Sequence, residues 1–178
     1  LAPLLLRNRS AIIPNPGGCR IGSRPIDMIV DGLIRMGAEI DYQSKDGFFH
    51  AKADGLQGIT YRFPKNTHTG TETMIIASVL AKGKTRLENA AEEPEIDELI
   101  NFLNAMGAKI VRTDKRVIEI EGVEKLYGAQ MLIEPDRNEV VTFAIAAYVT
   151  KGDIFVKDVK PDSLAEFLRK LDEVGALY

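Results

Sequence analysis

Three stretches of this 178-residue chain repeat one another at a nearly constant interval, and that repetition limits the folds open to it more than any other feature. They are PIDMIVDGLIRMGAEI at 25–40, PEIDELINFLNAMGAKI at 94–110 and PDSLAEFLRKLDEVGALY at 161–178. Each begins at a proline and reaches a Gly-Ala pair, with Gly37, Gly107 and Gly175 at intervals of 70 and 68 residues. Such periodicity points to one supersecondary unit used repeatedly. The local chemistry agrees, because proline suits a first helical turn, apolar residues recur at three and four, and glycine ends a helix.

A second pair of segments shares the offset. TETMIIASVLAKGKTRLENA at 71–90 and EVVTFAIAAYVTKGDIFVKDV at 139–159 carry Gly83 and Gly152, 69 residues apart, and each reads as helix, glycine stop and short strand. Both helices are apolar nearly all round, which predicts burial. EIDELINFLNAM instead keeps a charged face. Strands are expected in FFHAKA (48–53), ITYRF (59–63), KTRLENA (84–90), KIVRT (109–113), VIEIEGV (117–123) and MLIEP (131–135), whose alternation suits sheets with one wet face.

In order, strand 59–63, helix 71–82, strand 84–89, helix 94–106 and strands 108–112 and 116–121 make one complete β-α-β-α-β-β unit. Partial units flank it on both sides. All-apolar helices beside half-wet sheets predict an inside-out α/β barrel domain, helices buried and sheets outward. The opening LAPLLLRNRS reads as the tail of a helix whose beginning is missing, so the chain is expected to be a fragment of something longer.

Composition excludes several classes. A net charge of −3 with scattered Lys and Arg leaves no basic stripe for nucleic acid, and no apolar run approaches the roughly 18 to 20 residues of a membrane span. One cysteine makes no internal disulfide, which favours a reducing, cytoplasmic compartment. His50 and His68 have no third ligand at metal spacing, so neither a metal nor another cofactor is expected.

The lone cysteine sits in PNPGGCRIGSRP, behind two glycines, with Arg20 and Arg24 beside it. An isolated cysteine is ordinarily a small buried hydrophobe, whereas arginines and a following helix N-terminus favour the thiolate. The loop reads Pro16-Gly17-Gly18-Cys19-Arg20-Ile21-Gly22-Ser23-Arg24-Pro25-Ile26-Asp27. Together with LENAAEEPEIDELINFLNAMGAKI and PDRNEVVTFAIAA, it resembles the UDP-N-acetylglucosamine enolpyruvyl transferases, within the wider enolpyruvyl transferase superfamily. The resemblance spans essentially the whole chain.

It implies transfer of the enolpyruvyl group of phosphoenolpyruvate to the 3-hydroxyl of UDP-N-acetylglucosamine, in peptidoglycan synthesis. Those two small molecules are the implied partners, together with a missing second domain of the same protein. Cys19 then corresponds to the catalytic loop thiol that fosfomycin alkylates, and Arg24 to an arginine contacting phosphate and phosphoenolpyruvate. Arg24, Pro25, Ile26, Asp27 and Met28 correspond to a segment holding the UDP moiety, where free helix N–H groups suit an anion. Lys65, Asn66, Thr67 and His68 correspond to a second segment, enclosing uridine.

Departures leave alternatives open. Where the family reads K-x-SVGATEN this chain has Lys65-Asn66-Thr67-His68-Thr69-Gly70-Thr71-Glu72, which leaves room for a different acceptor sugar. A non-catalytic nucleotide-sugar-binding remnant is the other rival. The acidic run at Glu92, Glu93 and Glu95 suits the positive end of a helix, with a substrate-proximal role open for Glu93 and Glu95. Asp136 and Arg137 are read as a structural hinge pair. Residues 1–135 are expected to be most of a first domain lacking its N-terminal part, and 136–178 the truncated start of a further unit.

Overall fold

Helix α3 (His68–Ser78) is the most enclosed helix among the described residues, with Gly70, Thr71, Met74, Ile75, Ala77 and Ser78 all buried. Helices α1 (Ala2–Asn8), α2 (Asp27–Arg35) and α4 (Pro94–Ala105) pack against it, as do strands β5 (Lys84–Glu88) and β7 (Val117–Glu121). The structure, a computed structural model, describes residues 1–15, 25–43 and 45–178. Two units divide the chain, Leu1–Gln130 and Met131–Tyr178.

The first unit holds two sheets. Strand β3 (Phe48–Lys52) lies between β1 (Ser10–Pro14) and β2 (Glu39–Gln43), antiparallel to both, with Ala51 opposite Ala11 and Ile40. Neither β1 nor β2 was among the expected strands. The second sheet runs β4 (Thr60–Arg62), β5, β7 and β6 (Lys109–Asp114), with β4 parallel to β5 and the other pairs antiparallel.

Register on this second sheet separates its faces. Leu87 pairs with Ile118 and Thr85 with Ile120, and these residues are buried with Tyr61 and Ile110. One step along, Arg86 pairs with Glu119 and Lys84 with Glu121, so the outer face carries alternating charge. Lys109 reaches Glu121 at 2.6 Å, and Arg62 reaches Glu88 at 3.5 Å. Lys109 and Lys84 hold the Glu121 carboxyl below its usual range, and Arg86 does the same for Glu88.

Capping chemistry moves one helix from its expected bounds. Thr67, in extended conformation, accepts from the Gly70 amide at 3.2 Å, so α3 begins at His68 and ends at Ser78 instead of spanning 71–82. A polar start hides that turn from any reading based on apolar periodicity. Gly70 is needed there, since a Cβ would lie 2.4 Å from Thr67 Cγ2.

The second unit corrects further expectations. Helix α5 (Arg137–Thr150) was expected to be buried, yet it buries Val140 and leaves Phe143 60% and Val149 68% exposed. MLIEP at 131–135 and the segment after Gly152 form no strand, because neither has a hydrogen-bonding neighbour strand among the described residues. Asp136 caps α5 by accepting from the Asn138 amide at 2.8 Å. A 3₁₀ turn (Pro161–Leu164) leads into α6 (Ala165–Glu173), where Arg169 pairs with Glu166 at 3.0 Å. Among the described residues, no helix is long and apolar enough to cross a membrane.

Candidate functional site

Backbone hydrogen bonds establish that α2 and α3 run in the same direction. At the end of α2 the Met36 carbonyl accepts from Gln57 N–H at 2.8 Å. Just past α3, Lys82 donates to Leu56 and accepts from Gly58, both at 2.8 Å. Both helix C-termini therefore rest on one segment, 56–58, and both N-terminal turns lie at the opposite end of the unit. Midway along, Gly32 lets the helices approach, since a Cβ there would sit 2.5 Å from Met74 Sδ.

This arrangement brings residues 25–28 and 65–68 to the same end. Strand β4 rises from 56–58 toward that end, and the chain then passes through Phe63 and Pro64 into the second segment. The Tyr61 hydroxyl donates to the Met28 carbonyl at 3.1 Å, joining β4 to the first turn of α2. A third segment arrives through Thr71, whose hydroxyl donates to the Thr67 carbonyl at 2.7 Å and accepts from Ala91 N–H at 3.0 Å. Ala90 N–H in turn donates to the Arg116 carbonyl at 3.0 Å.

The expected site residues differ in what they present. Pro25, Asp27, Lys65 and Asn66 are exposed, and Ile26, Thr67 and His68 are half-buried. Met28, the second residue of α2, is buried. Helix α2 has Ile26 at its N-cap and, among the described residues, no side-chain cap, while α3 is capped by Thr67. Cys19 and Arg24 lie outside the described residues.

His68 opens α3 with Nε2 4.0 Å from Glu72 Oε1 and without a hydrogen-bond partner among the described residues. Thr69 lies within the helix, so no left-handed backbone is asked of it, and neither it nor Gly70 has a positive φ. Glu93 has one buried carboxylate oxygen without a hydrogen bond to any described residue, whereas Glu92 is engaged by Arg116 at 2.5 Å and Lys115 at 3.7 Å. His50 bonds Asp46 at 2.9 Å, away on β3. Among the described residues no group of three His, Cys, Asp or Glu side chains is placed to hold a metal.

Tyr61 was not singled out in the sequence. Its signal was the inward position of an alternating strand, because a buried phenol must find an acceptor. Burial foremost, and then the nearby Asp31 carboxylate, push its pKa up to about 12, so the hydroxyl stays a donor. Arg35, paired with Asp31 at 3.0 Å, sits 5.6 Å over the ring.

Comparison with known proteins completes the description. The family profile described as EPSP synthase (3-phosphoshikimate 1-carboxyvinyltransferase) matches residues 1–177. The chain is 48% identical over 176 residues to the UDP-N-acetylglucosamine 1-carboxyvinyltransferase of Bartonella henselae, covering 98% of the chain and 40% of that protein. It is 47% identical over 177 residues to the protein of the same name from Hydrogenovibrio crunogenus, covering 99% of the chain and 42% of that protein. The chain thus spans about two-fifths of the length of these relatives. In structure it is similar to the enolpyruvyl transferase NikO from Streptomyces tendae, with a TM-score of 0.78 at 20% identity over 98% of the chain and 42% of NikO. EPSP synthase from Acinetobacter baumannii superposes with a TM-score of 0.64 at 23% identity, over 82% of the chain and 32% of that protein. These two likenesses speak to the α/β fold alone.

Proposed function

The chain belongs to the EPSP synthase (3-phosphoshikimate 1-carboxyvinyltransferase) family, and we propose that the protein containing it transfers the enolpyruvyl group of phosphoenolpyruvate to the 3-hydroxyl of UDP-N-acetylglucosamine. The observation that carries this is the 46–48% identity, across nearly all of the chain, to relatives named for that activity. Geometry supports it, since two segments suited to a nucleotide sugar meet at one end of the unit.

The reaction protonates C3 of phosphoenolpyruvate while the sugar 3-oxygen attacks C2. Phosphate then leaves C2 as a proton leaves C3, which regenerates the double bond on the new ether. The reaction requires a proton donor, a base for the hydroxyl and fixed cations around carboxylate and phosphate. In this reading Cys19 closes over phosphoenolpyruvate and Arg24 holds phosphate and carboxylate oxygens with its planar fork. Amides of the first α2 turn, at 26–28, meet the diphosphate, with Pro25 setting their approach. Lys65, Asn66, Thr67 and His68 enclose the uridine.

The same reading makes 1–135 most of a first domain and 136–178 the start of a further repeat unit, in an inside-out α/β barrel. The central position of α3 and the charged outer face of the β4–β7 sheet support that architecture. In this reading the chain is part of a cytoplasmic protein.

One observation favours a second acceptor. His68 stands where the family carries a small residue, and among the described residues its Nε2 has no hydrogen-bond partner, with Glu72 Oε1 4.0 Å away. Titrating the full-length protein with UDP-N-acetylglucosamine by calorimetry distinguishes the two. Saturable binding supports the proposed acceptor; no binding at millimolar sugar nucleotide excludes it. Binding without turnover would mark a non-catalytic remnant.

A further inference from the structure

Strand β4 is three residues long and lies at the edge of its sheet, yet its central residue, Tyr61, is only 2% exposed. A hydroxyl buried that deeply must have a partner, and Tyr61 finds it 33 residues back, in the Met28 carbonyl. Met28 is the second residue of α2, a helix that starts at an apolar N-cap with no side-chain bond of its own. Among the described residues no side chain caps that first turn, and beyond its own Val30-to-Ile26 backbone bond at 3.0 Å the phenol ties it to the sheet.

The other end of the tie is equally well held. Tyr61 packs edge-on against Phe63, with ring centroids 5.1 Å apart. Phe63 is anchored through its amide to the Glu88 carbonyl at 3.0 Å, and its carbonyl accepts from Asn89 Nδ2 at 2.9 Å. Two residues later the 65–68 segment begins. One side chain thus joins a rigid strand leading into 65–68 to the turn that carries 25–28.

We propose that Tyr61 is a positioning residue for nucleotide-sugar binding, its hydroxyl holding the first turn of α2 in register with the 65–68 segment so that both meet one ligand. The inference rests on the substrate reading above. Tyr61 touches no substrate in this account; it acts by pre-organising amides that do.

The test uses full-length protein carrying Tyr61→Phe, which removes one oxygen and keeps the ring. Loss of one buried hydrogen bond predicts a Kd for UDP-N-acetylglucosamine weaker by about three- to tenfold. KM for the sugar nucleotide should rise equally, while kcat and KM for phosphoenolpyruvate stay within about twofold. A residue that served packing alone would lower Tm without separating the two KM values. In the wild-type protein, hydrogen exchange should show UDP-N-acetylglucosamine protecting amides of 26–31 and 66–71 together.

Unchanged sugar-nucleotide affinity in Tyr61→Phe overturns the inference, as does protection of one segment without the other. Wild-type protein that binds no UDP-N-acetylglucosamine overturns the substrate reading and this inference with it. Wild-type binding with an unaffected variant overturns this inference alone.

Discussion

Gly32 of α2 lies against Met74 of α3 so closely that a Cβ on Gly32 would stand 2.5 Å from Met74 Sδ. Two helices that descend from the candidate site are thereby packed at a separation that a Cβ at position 32 would disturb. The thioether is the far end of a flexible side chain, but Met74 is fully buried, so it has little room to retreat.

Gly32→Ala is expected to lower unfolding free energy by about 1 kcal/mol, overpacking of about 1–3 kcal/mol being partly offset by alanine's better helix propensity. Urea denaturation of the chain measures it. Shortening the partner with Met74→Val in the same chain should recover part of the loss if the contact is the cause; an additive double variant would contradict the packing account.

Thr71→Val should cost about 1–3 kcal/mol, because a side chain of the same shape leaves the buried Ala91 amide without its acceptor. The loop at 90–93 should then show faster amide exchange than the strands beside it. Unchanged stability would mean that Ala91 finds another partner.

At the start of α3, Gly70→Ala should be destabilising through the close approach of Thr67 Cγ2. Thr67→Ser keeps the capping oxygen and removes that methyl, so the double variant should be more stable than Gly70→Ala alone. Thermal unfolding of the three variants decides the matter.

Alkaline pH should weaken the fold through Tyr61. Its folded pKa is raised to about 12 from an ordinary value of 10.0, so the folded state keeps the phenolic proton that the unfolded state loses first. The contribution is fully present below pH 10 and is lost as pH rises from 10 toward 12. Comparing wild-type chain with Tyr61→Phe isolates it from other titrating groups: the stability difference should shrink across that window, and a constant difference would contradict the assignment.

Legibility in the sequence followed the physics of each element. Strands β5, β6 and β7 alternate because one face is buried and the other carries the charge ladder, and α4 shows Ile96, Ile100 and Leu103 buried at helical spacing. Strand β1 has adjacent Ile12 and Ile13 and no clean alternation; its register comes from β3, almost forty residues away. Glu39–Gln43 does alternate, but it follows directly on the Gly-Ala helix end and was read with it. Helix α5 has the apolar composition of α3 without its neighbours, so composition foretold a burial that the described residues do not supply. The 25–28 and 65–68 segments were proposed as binding segments from their residues. Their meeting at one end was not, because it depends on hydrogen bonds from 56–58 and on Tyr61, all distant in sequence.

The most direct test of the central claim is product analysis with the full-length protein, given phosphoenolpyruvate and UDP-N-acetylglucosamine. The account predicts one inorganic phosphate released for each carboxyvinyl ether formed on the sugar 3-oxygen, and none when the sugar nucleotide is withheld. Phosphate release that does not depend on UDP-N-acetylglucosamine, or no ether at that oxygen, would contradict it.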